Sequence, residues 1–123
     1  MRVQFDTKEL YRIVTALEHA RQLYLKMARL ERNDLDRKNV EGYAAAASAL
    51  AHRFAEEEEH PDLTPGEVAV LERALRFETS RWQQQIKPTA PAYEKKALLE
   101  SADKVASIIT KLRQARGLDF NQA

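Results

Sequence analysis

The sequence predicts an all-α fold, an up-and-down four-helix bundle built from two helical hairpins. Three observations carry that expectation. Only three glycines and four prolines occur in 123 residues, alanine and leucine are abundant, and the prolines fall between segments whose apolar residues recur every three or four positions. A single domain over 1–123 is expected, because a compact chain of this length buries roughly two thirds of its unfolded surface and needs no staple. A homodimer of hairpins or a coiled-coil extension is the competing arrangement; the first helix repeats apolar residues at 10, 17 and 24 and at 13, 20 and 27, but two and a half heptads fall short of a coiled coil.

The four helices are expected at about 7–32, 35–59, 65–86 and 92–116. Asp6 and Glu9 form a capping box at the first, with Phe5 and Leu10 as a hydrophobic staple. Leu10, Ile13, Val14, Leu17, Ala20, Tyr24, Met27 and Ala28 make its inner stripe, widened by Leu23 and Leu30, while Leu25 falls off it. Asn33-Asp34 favours a break, because one unbroken helix from Asp6 to about Glu58 would run roughly 80 Å. The second helix turns Val40, Tyr43, Ala47, Leu50 and Phe54 inward, and Gly42 marks a weak spot or a tight crossing.

Thr64-Pro65-Gly66-Glu67 is the sharpest local signal: a threonine cap, a proline at the first helical position and a glutamate closing the box. Val68, Leu71, Leu75, Trp82 and Ile86 follow on the inner face of the third helix. Glu78 interrupts that stripe, and a small rotation that turns Thr79 inward and leaves Glu78 at the boundary beside an arginine is the expected outcome. A stiff Lys87–Pro91 connector leads to a fourth helix with Leu98, Ala102, Val105, Ile109 and Leu112 inward. Gly117 is expected to end it, with Asp119–Ala123 left without order.

Charge is unevenly spread. Residues 1–55 sum to +3, 56–78 to −6 and 79–123 to +4 within a formal total of +1. The run Glu56, Glu57, Glu58, Glu59, with Asp62 nearby, sits at the end of its own helix, where the macrodipole disfavours it. That conflict motivates the leading functional expectation: a non-catalytic protein–protein interaction module, an adaptor, regulator or inhibitor, whose acidic patch meets a partner protein with a basic surface. Self-association into a homodimer is the related possibility. Nucleic-acid association through the basic faces of helices one and four, with Arg29, Arg32, Lys95, Lys96, Lys104 and Lys111, is the first alternative. Interspersed acids dilute those faces, and the same spacing suits an ordinary wet helix face.

A metal-binding helical bundle enzyme is the second alternative. His52, Glu56 and His60 are spaced by four and would share a face on a helix that reached His60, but Pro61 follows directly and the partner Glu-x-x-His pair of a di-metal bundle is missing. Arg53 and His60 make a poor nuclease pair, because four glutamates between them repel phosphates. Tyr11, Tyr24, Tyr43, Tyr93 and Trp82 read as core or boundary residues rather than a stacking platform. Phosphate loops, nucleophile elbows and dinucleotide fingerprints are absent, so no enzyme and no cofactor are expected. Without cysteine, a secretory leader or an apolar run of bilayer length, a cytoplasmic protein that does not enter the membrane is expected.

Overall fold

The computed structural model describes residues 3–56, 62–85 and 88–122, with side chains as far as 115. Its elements are four α-helices: α1 (Thr7–Leu30), α2 (Asp34–Ala55), α3 (Pro65–Gln85) and α4 (Ala92–Gln122). No helix among the described residues is long and apolar enough to cross a membrane.

Helix α1 starts at a closed capping box. The Glu9 amide donates to the Asp6 carboxylate at 2.7 Å, and the Asp6 amide donates to Glu9 Oε1 at 3.1 Å. It stops at Leu30, and Asn33 caps α2 by accepting from the Asp36 amide at 3.1 Å. Arg37 reaches back with two nitrogens onto the Glu31 carbonyl, at 3.3 and 2.9 Å, so the corner satisfies an orphan carbonyl of the first helix with a side chain of the second.

Ring contacts show that α2 returns antiparallel along α1. Phe5 meets Phe54 edge-on at 5.9 Å at one end, and Tyr24 meets Tyr43 at 5.6 Å towards the other. Helix α3 joins the second cluster through Phe77, 5.8 Å from Tyr24, and through Arg73, whose guanidinium lies 5.2 Å from the Tyr43 ring centre. Burial pushes the Tyr24 hydroxyl above its ordinary pKa, against the opposing pull of Arg73. Helix α4 packs mainly on α3 and touches α1 more sparsely, with Val105, Ile108 and Leu112 buried.

Several expected faces are rotated or cut short. On α1 the buried set is Leu10, Ile13, Ala16, Leu17, Ala20, Tyr24 and Ala28, whereas Leu23, Met27 and Leu30 are exposed and Leu25 packs against the core. The seam with α2 is the most extensive contact of α1, and it draws the buried stripe towards its own side. On α4, Ile108 is fully buried and Ile109 only partly, because the face that packs on α3 and, more sparsely, on α1 is the one carrying Val105, Ile108 and Leu112. Its backbone also runs through Gly117 to Gln122; glycine costs a helix only about 1 kcal/mol, and this one does not terminate it. Ile86 lies outside the described residues.

Gly42 is not a tight crossing. A Cβ built there meets nothing within 4 Å, so the residue is a weak spot in an exposed helix face. Gly42→Ala is therefore expected to stabilise the protein by about 0.5–1 kcal/mol, read as a raised Tm in a thermal melt. A lowered Tm would mean that the glycine accommodates a contact this packing does not contain.

The start of α3 is tied to α2. Thr64 and Glu67 close their box, with the Glu67 amide donating to Thr64 Oγ1 at 3.2 Å and the Thr64 amide donating to Glu67 Oε1 at 3.0 Å. Arg53 then bridges, one nitrogen donating to Glu67 Oε2 and another to the Asp62 carbonyl, both at 3.0 Å. Burial alone would raise the Glu67 carboxyl. The Thr64 amide and hydroxyl together with Arg53 outweigh that and hold it below its ordinary value. A carboxyl lowered on folding contributes stability above its unfolded pKa and loses it as pH falls through the folded one. The stability gap between the native chain and Glu67→Gln should thus be constant near neutrality and shrink as acid is added below about pH 4.5. Denaturant melts across that range check it, and a gap that widens in acid would contradict the arrangement.

Candidate functional site

A cleft of about 510 Å³ opens where the first turns of α1, the last turns of α3 and the middle of α4 come together. Helix α1 supplies Lys8, Tyr11, Arg12 and His19, α3 supplies Glu78, Arg81 and Trp82, and α4 supplies Lys104. Thr7 and Thr15 complete the lining, the Thr15 hydroxyl donating to the Tyr11 carbonyl at 2.8 Å. The sequence shows why one helix presents so much of it: 8, 11, 12, 15 and 19 follow helical spacing and lie on one stripe, and 78, 81 and 82 repeat the pattern on α3.

Glu78 is the buried group of this cleft, only 4 % exposed, and it does not retreat to the boundary as expected. It keeps its place because two partners meet it. His19 Nδ1 lies 2.7 Å from Glu78 Oε2, and the Arg81 guanidinium donates to Oε1 at 3.4 Å. With a hydrogen on Nδ1, the imidazole donates to the carboxylate, and Nε2 is then the nitrogen left for other contacts. Thr79 is half-buried and donates its hydroxyl to the Leu75 carbonyl at 3.2 Å, so no rotation towards it was required. The expectation of an arginine neighbour holds, in the form of Arg81.

Charge in the cleft is one-sided. Lys8, Arg12, Arg81 and Lys104 line it together with one carboxylate, that of Glu78, which has Arg81 and His19 as partners. Tyr11 is 74 % exposed and Trp82 half-buried against the core, so two aromatic residues border the same space. The expectation that Tyr11 and Tyr93 are core or boundary residues fails: both are exposed, and of the four tyrosines only Tyr24 is buried. Tyr11 points outward because it lies opposite the Ile13, Leu17, Ala20 and Tyr24 stripe.

Of the basic residues singled out on helices one and four, Lys104 alone lines this cleft. Lys111 is engaged elsewhere, donating to the Glu9 carboxylate and to the Gln4 carbonyl and sitting over the Phe5 ring, where it fastens α4 to the chain before α1. Lys95 donates to the Pro88 carbonyl at 3.2 Å, and Lys96 is exposed on the same helix. Arg29 and Arg32 are exposed at the far end of α1, about 30 Å along the helix from Lys8.

Glu57, Glu58, Glu59 and His60 lie outside the described residues. Glu56 follows the last residue of α2 as its C-cap, and its carboxylate lies 3.3 Å from Nε2 of exposed His52. Asp62 is exposed, and its carbonyl serves Arg53. Arg53 is thereby committed to the start of α3. Among the described residues no cluster of three or more histidine and acidic side chains has the geometry to hold a metal ion. Comparison with family models, with curated proteins and with solved structures yields no significant match.

Proposed function

We propose that the protein is a non-catalytic interaction module, an up-and-down bundle of two hairpins, that captures an anionic partner in the cleft between α1, α3 and α4. The observation that carries this reading is the gathering of Lys8, Arg12 and Lys104, with Arg81, from three helices in one cleft whose single carboxylate, Glu78, is already partnered by Arg81 and His19. Cations clustered in a concave site focus the field and steer an anion into it more effectively than the same charges dispersed over a surface. The cleft also replaces the two dispersed basic faces as the natural docking place, because Lys111 and Lys95 are engaged in internal contacts. The acidic run from Glu56 to Asp62 is proposed as a second surface of the same module, facing a basic partner, with Glu56 and Asp62 both exposed at its edges.

Heparin serves as a generic anionic probe. Retention of the protein at low salt, release as salt rises, and loss of retention in Lys8→Glu/Lys104→Glu are expected. Both lysines are exposed, so the charge reversal leaves the core intact. Retention unchanged by the double reversal would rule out the cleft as the working surface.

A further inference from the structure

We infer that the ligand of this cleft is a nucleotide unit, a phosphate joined to an aromatic base, taken from a single strand or as a free nucleotide. The inference rests on the anionic-partner reading and narrows it. Charge alone would suit a carboxylate-rich peptide as well as a phosphate. What separates them is the pairing of Lys8, Arg12, Arg81 and Lys104 with Tyr11 and Trp82 in one space. A backbone-tracking cation set beside aromatic faces is the combination that holds unstacked bases, and every base offers a face to it. A peptide of glutamates and aspartates has no use for the rings.

Size and surroundings agree. A volume of about 510 Å³ falls within the range of small-ligand sites, roughly 300–1,000 Å³, and is too small to admit a duplex. Tyr11 is 74 % exposed on the flank of α1 opposite the buried stripe, so its ring is available to a ligand at little folding cost. The wall formed by His19, Glu78 and Arg81 is shared with a second depression of about 600 Å³, which continues along α1 and α3 with Gln22, Lys26, Phe77 and Gln84 in its lining. Lys26 adds a further cation there and half-buried Phe77 a further ring, beside two amide side chains that the first cleft lacks. Two such depressions side by side favour a strand, with successive nucleotides in each, over an isolated nucleotide.

Trp82 is the only tryptophan of the chain and borders the cleft, so its fluorescence reports occupancy directly. The full chain is titrated with adenosine monophosphate, an eight-residue oligoadenylate, adenosine, inorganic phosphate and a glutamate octapeptide. Saturable change with the monophosphate and the oligonucleotide is expected, each binding at least ten-fold tighter than adenosine or phosphate. Tyr11→Ala should weaken the oligonucleotide by about 5- to 100-fold, the loss of one base–aromatic contact. Lys8→Ala/Lys104→Ala should flatten its salt dependence, by about one unit of slope for each phosphate contact removed. An oligonucleotide at least ten-fold tighter than the monophosphate assigns the strand as the source, and equal affinities assign the free nucleotide.

Phosphate or adenosine binding as well as the monophosphate would overturn the inference, as would unaltered affinity in Tyr11→Ala. The same holds if the octapeptide binds as tightly as the oligonucleotide. In that last case heparin retention through the same lysines would persist, and the anionic-partner reading would stand without the nucleotide. Absence of both heparin retention and any titration would remove the two together.

Discussion

Phe54→Ala is expected to destabilise the protein by about 3–5 kcal/mol, the usual loss when a buried phenylalanine is truncated and its cavity does not collapse. Phe54 is 1 % exposed near the end of α2, and its ring meets Phe5 edge-on at 5.9 Å. Phe5 belongs to the segment before α1, so this contact joins the chain's beginning to the α1/α2 seam. Lys111 of α4 sits over the same Phe5 ring, 5.9 Å from its centre, and donates to Gln4 and Glu9. One truncation therefore loosens three elements. Because small domains are stable by only about 5–15 kcal/mol, much of the margin would go. Urea unfolding measures it as a lower midpoint at an unchanged slope. Leu30→Ala, at a residue 73 % exposed, is the control and should lie within about 0.5 kcal/mol of the native chain. Equal losses in the two variants would mean that the Phe5–Phe54 contact does not organise this end of the fold.

The second large effect is at the floor of the cleft, where it takes the form of an asymmetry. His19→Ala removes the closer partner of a carboxylate that is 4 % exposed, leaving Glu78 with Arg81 at 3.4 Å. A loss of about 1–3 kcal/mol is expected, the penalty for a buried charged acceptor deprived of a donor. Glu78→Leu should be milder, because His19 is 32 % exposed and Arg81 46 %, so both can turn their polar atoms to solvent. The double variant His19→Ala/Glu78→Leu should be more stable than His19→Ala alone, since replacing both members of a buried polar pair removes the stranded charge. Denaturant melts of the four proteins at pH 7 give the coupling. Losses that simply add would show that the two side chains do not depend on one another.

Local chemistry made much of the secondary structure legible. The Asp6/Glu9 and Thr64/Glu67 boxes each use residues three apart in sequence, so the signal and the hydrogen bonds lie within one helical turn. Asn33 breaks α1 from α2 for a similar reason, as its side chain competes for a nearby amide. The polar stripe of the cleft was equally present at 8, 11, 12, 15 and 19. It carries no sign of a cleft, because a single helix cannot reveal what stands across from it. Burial of Glu78 was hidden in the same way: its donor, His19, is 59 residues away.

By itself the sequence determined that this chain is helical and where its helices begin, because propensity, capping and 3.6-residue periodicity are properties of neighbours along the chain. Tertiary structure decided which flank of each helix is covered. Leu25 is half-buried against the core while Met27 is left outside, and Ile108 rather than Ile109 is sealed, since these outcomes depend on how neighbouring helices pack. It also decided that Lys8, Arg12, Arg81 and Lys104 share one space whereas Lys111 fastens the N-terminal segment. Charge is written in the sequence residue by residue; its concentration at one place arises only when separate helices meet.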